Sequence, residues 1–196
     1  VQAGHVETVP VMTDDRICFF TDTGSMYQVK AADVPAGKLK DKGVPLDNIS
    51  RFEGAKERIL LTMPASELPG KKLLFATRAA MLKIVPGGEF LTANRMVAAT
   101  KLSEGDQAAE IRILSGETEI VLQTKEGMFL RFMINEIPEL KKNSRGVRGI
   151  RLEKEDTLEH VYLPDVDGTA HYKGKEVALG RLKAAKRDGK GTKVRL

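Results

Sequence analysis

Three stretches of the chain share one pattern: Phe19-Phe20-Thr21-Asp22-Thr23-Gly24, Phe75-Ala76-Thr77-Arg78-Ala79-Ala80 and Leu122-Gln123-Thr124-Lys125-Glu126-Gly127. Each is an apolar run that ends in Thr-x-x-Gly, with Ala replacing Gly in the second, and each precedes another apolar run. The turn positions 24, 80 and 127 lie 56 and 47 residues apart. Self-similarity at such spacing is typical of propellers and solenoids, whose units bury their apolar faces against one another. The sequence therefore predicts a repeat protein.

A second feature recurs at a fixed offset after each turn. An acidic residue followed by an apolar one stands there in all three copies: Asp33-Val34, Glu89-Phe90 and Glu136-Ile137. A shared internal offset supports one continuous array. We expect a single domain over residues 1–196, with repeats at about 6–57, 58–105, 106–155 and 156–196, the fourth of them degenerate.

The apolar runs are four to eight residues long, rich in β-branched residues and bounded by Gly, Asp and Pro, which is typical of strands. The predicted fold class is all-β, a propeller-like disc of about four repeats. Phe19, Phe75 and Leu122 are expected to be buried between blades. Helix is expected only near Val177–Lys186, where Ala and Leu are dense. The predicted strands are Val6–Met12, Arg16–Thr21, Met26–Lys30, Arg58–Met63, Leu73–Thr77, Met81–Val85, Ala109–Leu114, Glu119–Thr124, Met128–Ile134, Leu158–Leu163 and Thr169–Lys173. Short outer strands are predicted at Gly43–Leu46, Val97–Leu102 and Gly149–Leu152, and the turn of the fourth repeat at Asp165–Gly168.

The positive charge is concentrated in the last third of the chain. The formal net charge is +5 over 196 residues, but residues 141–196 hold 15 Lys and Arg against 8 Asp and Glu, a net charge of +7. Such asymmetry favours a polyanionic partner over a merely soluble surface. The single cysteine, Cys18, fits a reducing cytosolic compartment. Val1 is not a natural start, and we expect the chain to be a fragment of a longer protein.

Three phrases carry a resemblance to a known family: Leu73-Leu74-Phe75-Ala76-Thr77-Arg78, Leu102-Ser103-Glu104-Gly105-Asp106 and Arg145-Gly146-Val147-Arg148-Gly149-Ile150-Arg151-Leu152. They resemble blades of the C-terminal domain of the A subunit of DNA gyrase and topoisomerase IV, and the likeness covers essentially the whole chain. The resemblance implies a β-pinwheel whose blades exchange a strand and whose basic edge bends or wraps duplex DNA. The catalytic tyrosine would lie upstream, so no catalytic residue is expected here.

The same resemblance implies the partners. These are double-stranded DNA, the B subunit that carries the ATPase, and the breakage-reunion domain of the same subunit, in a cytoplasmic, nucleoid-associated topoisomerase. ATP and Mg would belong to the holoenzyme and no cofactor to this domain. Ala185-Lys186-Arg187-Asp188-Gly189-Lys190-Gly191 resembles the gyrase box Gln-Arg-Arg-Gly-Gly-Lys-Gly but departs from it at Ala185 and Asp188. These departures leave gyrase-type wrapping and topoisomerase IV-type bending both open.

The basic runs point to DNA without reference to the family. Lys141–Arg151 is an acid-free run of eleven residues, and a second run toward the C-terminus is broken only by Asp188. Such residues release counterions condensed on DNA, while glycines among them let the backbone approach phosphates and expose N–H donors. No aromatic residue interleaves with the runs, which favours duplex backbone contacts over base stacking. The predicted DNA-binding residues are Lys38, Lys40, Lys42, Lys141, Lys142, Arg145, Arg148, Arg151, Lys183, Lys186, Arg187, Lys190, Lys193 and Arg195.

Two function classes remain after the search for a catalytic constellation. His5, His160 and His171 are far apart and lack spaced Cys or carboxylate partners, and Tyr27, Tyr162 and Tyr172 sit on strand patterns. The first class is a non-catalytic DNA-bending module of an ATP-dependent type IIA topoisomerase. The second is a β-propeller-like scaffold that binds a peptide or protein on its face. Positive charge repeated around the outer edge of the disc would favour the first.

Overall fold

The computed structural model describes residues 8–37 and 43–194, which contain fourteen strands and six short 3-10 turns but no α-helix. The all-β prediction is confirmed. The strands are β1 Arg16–Thr21, β2 Ser25–Lys30, β3 Ile59–Pro64, β4 Lys72–Thr77, β5 Met81–Pro86, β6 Met96–Ala98, β7 Ala108–Leu114, β8 Glu119–Thr124, β9 Met128–Met133, β10 Val147–Arg148, β11 Leu158–Tyr162, β12 Thr169–Tyr172, β13 Lys175–Ala178 and β14 Thr192–Lys193. The 3-10 turns are Ala31–Asp33, Leu46–Asn48, Ala65–Glu67, Gly87–Phe90, Ile134–Glu136 and Leu179–Arg181.

Each blade is a hairpin completed by strands from further along the chain. Blade 1 has the order β3-β1-β2-β6, blade 2 the order β7-β4-β5-β10 and blade 3 the order β11-β8-β9-β14. All of these pairings are antiparallel. The hairpin β12-β13 forms a two-stranded sheet in the described part of the chain. Both flanking strands of a blade thus follow its hairpin in sequence, which is the strand exchange that the family resemblance implies.

The three predicted turns adopt one conformation. Gly24, Ala80 and Gly127 have φ values of 77°, 62° and 83°, and each donates its N–H to the carbonyl of the Thr three residues earlier. This left-handed region costs an L residue roughly 1–2 kcal/mol, which explains why Gly stands at two of the three positions. The prediction of equivalent turns is confirmed.

The core lies between blades in three clusters. Phe20, Phe75 and Phe90 pack between blades 1 and 2. Leu122 belongs to the cluster between blades 2 and 3, and a third cluster joins blade 3 to the hairpin β12-β13. Phe75 and Leu122 are buried as predicted, but Phe19 is only half-buried. The Phe19 side chain faces away from blade 2, so the aromatic ring of β1 that is buried between the blades is that of Phe20.

The helix expected at Val177–Lys186 is not formed, because tertiary contacts override the local preference of its Ala and Leu residues. Val177 lies on β13, and the side chains of Val177 and Leu179 are buried against blade 3. The Arg131 guanidinium donates hydrogen bonds to the carbonyls of Gly180 and Leu182 at 2.8 and 3.1 Å, and these contacts hold the segment in a conformation other than an α-helix.

Four further predictions about turns and strands are wrong. The hairpin turn of the fourth repeat is Lys173–Gly174, whereas Asp165–Gly168 connects β11 to β12. The outermost strand of blade 2 is Val147–Arg148 rather than Gly149–Leu152. Residues 43–46 form no strand, nor do residues 8–12, while Val6 lies outside the described residues.

Candidate nucleic-acid interface

Two outer loops carry the basic runs, and they follow the same path on adjacent blades. We call residues 139–148 the blade-2 loop and residues 184–193 the blade-3 loop. Each begins with a parallel bridge to the second hairpin strand, Ile84 to Glu139 and Arg131 to Ala184. Each ends as the outermost strand, with Arg148 opposite Met81 and Lys193 opposite Met128. The two basic runs are therefore structural equivalents.

Each loop is held by a glutamate in the 3-10 turn that follows the second hairpin strand of the same blade. Glu89 Oε2 accepts the N–H of Lys142 at 3.3 Å, and Glu136 Oε1 accepts the N–H of Arg187 at 3.1 Å. These are the acidic residues that recur at a fixed offset after each sequence turn. Their role is to orient the backbone of the basic loop.

Gly146 of the blade-2 loop and Gly149, which directly follows its last strand, contact the protein itself. Gly146 has φ +90°, and a Cβ there would lie 2.3 Å from the carbonyl oxygen of Leu82. A Cβ on Gly149 would lie 2.5 Å from the Leu82 side chain, and the Gly149 N–H donates to Ala80 O at 2.7 Å. The expectation that such N–H groups are offered to phosphates is wrong for Gly149. The glycines are required because the loop runs directly against β5.

Most of the predicted side chains in these loops and next to them are exposed. Lys142 and Arg187 are half-buried, and the Arg187 guanidinium donates to Arg148 O at 2.8 Å. Lys38, Lys40, Lys42 and Arg195 lie outside the described residues. The exposed predicted residues are Lys141, Arg145, Arg148, Arg151, Lys183, Lys186, Lys190 and Lys193.

The two runs meet at the junction of blades 2 and 3. Arg151 N donates to Gly189 O at 2.8 Å, and Asp188 N donates to Gly149 O at 2.7 Å. The Arg148 guanidinium binds the Asp188 carboxylate through both oxygens, with Nη2 to Oδ2 at 2.8 Å. This hydrogen-bonded pair lowers the pKa of Asp188 and raises that of Arg148. Two basic runs that are distant in sequence therefore lie side by side, with the Asp188 carboxylate between them.

Sequence reasoning missed Lys83, which lies on β5 beneath the blade-2 loop. Its side chain is 1% exposed, and its ammonium group donates to the carbonyls of Lys141, Lys142 and Ser144 at 3.3, 2.8 and 2.6 Å. Burial lowers the pKa of Lys83 to about 8, against an opposing effect of Glu89. The available signal was a lone lysine within the otherwise apolar strand Met81–Pro86.

Two of the three histidines, His160 and His171, lie in the described part of the chain. His160 Nδ1 lies 3.5 Å from Glu110 Oε1, and the hydrogen bond to Glu110 raises the pKa of this half-exposed imidazole. His171 lies exposed on β12, and His5 lies outside the described residues. Within residues 8–37 and 43–194, no group of three or more His, Cys, Asp or Glu side chains could hold a metal ion. None of the described helices is long and apolar enough to span a membrane.

The comparisons with known proteins agree on one family. The family model described as DNA gyrase C-terminal domain, beta-propeller, matches residues 15–51, 71–115 and 118–165. The A subunit of DNA gyrase from Escherichia coli K12 is 31% identical over 91% of this chain and 21% of its own length. The A subunit of DNA gyrase from Staphylococcus epidermidis is 26% identical over 96% of this chain and 22% of its own length. The chain thus spans about a fifth of the curated relatives that it matches.

Two solved structures share the fold. A crystal structure of the C-terminal domain of DNA topoisomerase IV superposes with a TM-score of 0.82 at 22% identity, covering 92% of this chain and 58% of the other. The Escherichia coli ParC C-terminal domain superposes with a TM-score of 0.75 at 20% identity, covering 93% and 78%. The β-pinwheel fold predicted from the resemblance is confirmed.

Proposed function

Since the chain belongs to the DNA gyrase C-terminal domain family, we propose that it is the duplex-binding and DNA-bending domain of the A subunit in an ATP-dependent type IIA topoisomerase. It would guide the transported DNA segment toward the breakage-reunion domain of the same subunit. The B subunit would supply the ATPase, with ATP and Mg bound there, in a cytoplasmic, nucleoid-associated enzyme. This domain contributes binding and shape, not a catalytic group.

The observation that carries the proposal is the equivalence of the two basic loops. They use the same backbone path on neighbouring blades, and they meet through contacts such as Arg151 N to Gly189 O at 2.8 Å. Bending 20–30 base pairs by 40–90° costs on the order of 1–6 kcal/mol, so a bending protein has to contact phosphates along an arc. Two adjoining basic edges supply such an arc, and Lys38, Lys40 and Lys42 would extend it.

Binding should be independent of sequence and sensitive to salt. Contacts with phosphates carry no base information, and each neutralised phosphate lowers log K by about 0.9 per unit of log salt. Titrating unrelated duplexes of equal length at several salt concentrations measures both properties. A strong preference for one sequence, or binding that salt leaves unchanged, would contradict phosphate contact.

Bending is tested by neutralising each loop separately. Replacing Arg145, Arg148 and Arg151 by Gln should reduce bending more than it reduces binding to a short duplex, because a short duplex need not follow the arc. The triple Gln variant of Lys186, Arg187 and Lys190 should act in the same way. Energy transfer between dyes at the duplex ends measures the bend. A control variant with Lys154, Lys173 and Lys175 changed to Gln removes three exposed charges elsewhere.

The outcome that would end the bending proposal is an unchanged end-to-end distance in both loop variants. The same outcome would favour the alternative, a scaffold that binds a peptide on its face. One observation supports that alternative: a groove of 810 Å³ between blades 2 and 3 with apolar lining from Ile84, Leu114 and Met133. Its rim carries both charge signs, including the pair Lys72–Glu139 at 2.7 Å.

A further inference from the structure

We infer that Lys83 is the positioning residue of the blade-2 loop, holding it in the path that presents its basic side chains on the outer edge. The inference rests on the proposed function for its consequence in DNA bending, but the anchoring itself concerns the free protein. The three carbonyls of Lys141, Lys142 and Ser144 turn inward and converge on one ammonium group. An ammonium group has three N–H donors and no acceptor, so donors and acceptors match one for one.

Lys83 is committed to this contact, because the geometry gives it no competing partner in the described residues. Its side chain is 1% exposed, and its Nζ forms no salt bridge there. The Nζ also lies 5.6 Å from the centroid of the Phe75 ring, which offers a cation a favourable face. A buried charge is costly unless it is hydrogen-bonded, so the loop and the ammonium group hold each other in place.

Blade 1 shows that these carbonyls are the point at which an outer loop is held. Ala99 and Gly149 are equivalent, because their N–H groups donate to the turn carbonyls of Gly24 and Ala80 at 2.8 and 2.7 Å. Counting back from them makes Thr92 and Asn94 the equivalents of Lys142 and Ser144. The amide of Gln28 donates to the carbonyls of Thr92, at 2.7 Å, and of Asn94. Different side chains thus bind the same two carbonyls in the two blades.

The lysine compensates for an apolar residue. Gln28 stands four residues after its turn, and the matching position in blade 2 is Ile84, which has no side-chain donor. Lys83, one residue earlier and with a longer side chain, reaches the same carbonyls. Blade 3 keeps a donor at the matching position in Arg131, but its guanidinium binds the carbonyls of Gly180 and Leu182, which lie just before the blade-3 loop.

The test is Lys83→Met, which keeps an unbranched side chain only one atom shorter but removes the donors. In the free chain, hydrogen exchange of the Leu140, Ser144 and Gly149 amides should accelerate about tenfold or more, since hydrogen bonds to a charged group are the stronger ones. Amides within Glu119–Thr124 on blade 3 should not change. With DNA, the variant should bend a dye-labelled duplex less than the unaltered chain does at saturating protein.

Gln28→Met is the matched control. It removes the equivalent anchor from a loop that carries only Arg95 between residues 91 and 98, so it should leave bending unchanged. Lys83→Gln retains an amide donor and should restore much of the protection and bending. It also serves as the readout if the Met variant does not fold.

Unchanged loop exchange and unchanged bending in a folded Lys83→Met chain would overturn the inference. Equal loss of bending in Gln28→Met would also overturn it, because the effect would then be general destabilisation. If the unaltered chain fails to bend DNA, the proposed function fails, and the exchange of the loop amides alone decides whether Lys83 is the anchor.

Discussion

The blade-2 and blade-3 loops follow one backbone path with different side-chain anchors. Both have a glycine at positive φ before the outer strand, Gly146 and Gly191. In blade 2, Lys83 binds carbonyls within the loop and forms no ion pair with a described residue. In blade 3, Arg131 binds the carbonyls of Gly180 and Leu182 just before the loop and is paired with Glu119 at 2.7 Å. The comparison teaches that register and close backbone approach define the loop, while the polar anchor can change its chemistry.

The largest effect is expected where the backbone leaves no room. Gly146→Ala should lower the free energy of unfolding by about 2–4 kcal/mol, because it combines a left-handed residue with a clash against backbone. A Cβ there would lie 2.3 Å from Leu82 O, whereas at Gly191 it would lie 2.7 Å from Phe129 O. Urea denaturation should therefore rank Gly146→Ala below Gly191→Ala in stability. Gly168→Ala, with no atom within 4 Å of its Cβ, is the control.

If the three alanine variants were equally stable, close approach would not define the path of the loops. The comparison between blades would then depend on the anchors alone.

An intermediate effect is expected from pH. The pKa of Lys83 is about 8 in the folded chain, below its ordinary value of 10.5. Between these pH values the unfolded lysine holds a proton that the folded one has released, so unfolding takes up protons and stability rises with pH. Below pH 8 the cost of burying the charge is fully present. The free energy of unfolding of the unaltered chain should therefore rise relative to that of Lys83→Met between pH 8 and 10.5.

The comparison with Lys83→Met is needed because other groups act in the opposite direction. Burial raises the pKa of Cys18, Tyr27 and Tyr162 to about 12, so these groups lower stability at high pH in both chains. Glu89 raises the pKa of Lys83 against the effect of burial, and Lys141 and Lys142 lie on the loop above it. A stability difference that does not vary with pH would show that Lys83 keeps its ordinary pKa.

The smallest effect concerns the embedded carboxylate. The Asp188 carboxylate binds the Arg148 guanidinium in the way that a DNA phosphate would. Asp188→Asn should therefore tighten binding to duplex DNA about twofold to fivefold and make binding more dependent on salt. Titrations against salt measure both changes. Glu176→Gln also removes one negative charge, at an exposed site on the β12-β13 hairpin, and therefore controls for the change in net charge. Weaker binding by the Asn variant would instead mean that Asp188 orients Arg148 toward DNA.

Local patterns predicted the hairpins well and the neighbours of each strand poorly. The bounds of β1 and β8 agree with the prediction to the residue, because turn residues and alternation delimit a strand from within. Alternation cannot show which face has a neighbouring blade, and this is why Phe19 was expected in the place of Phe20. The dense Ala and Leu residues before Lys186 have helical propensity, but burial of Leu179 and the Arg131 contacts outweigh it.

The candidate site was predicted in composition but not in construction. The basic runs can be recognised in the sequence from their charge, and Glu89 and Glu136 from their repeated offset after each turn. That the runs meet through Arg148 and Asp188 depends on contacts 40 residues apart in sequence. Lys83 could not be assigned a role, because the carbonyls that explain it lie about 60 residues further along.

Strand exchange has a consequence for how the chain can be divided. Blade 1 draws its strands from residues 16–98, blade 2 from 72–148 and blade 3 from 119–193. These intervals overlap, so any cut between residues 16 and 193 severs at least one sheet. The repeats visible in the sequence are therefore not separable modules, and on a ribosome each blade would wait for its successor to emerge before its sheet could close. Each four-stranded blade is thus completed only by a strand that follows the next hairpin along the chain.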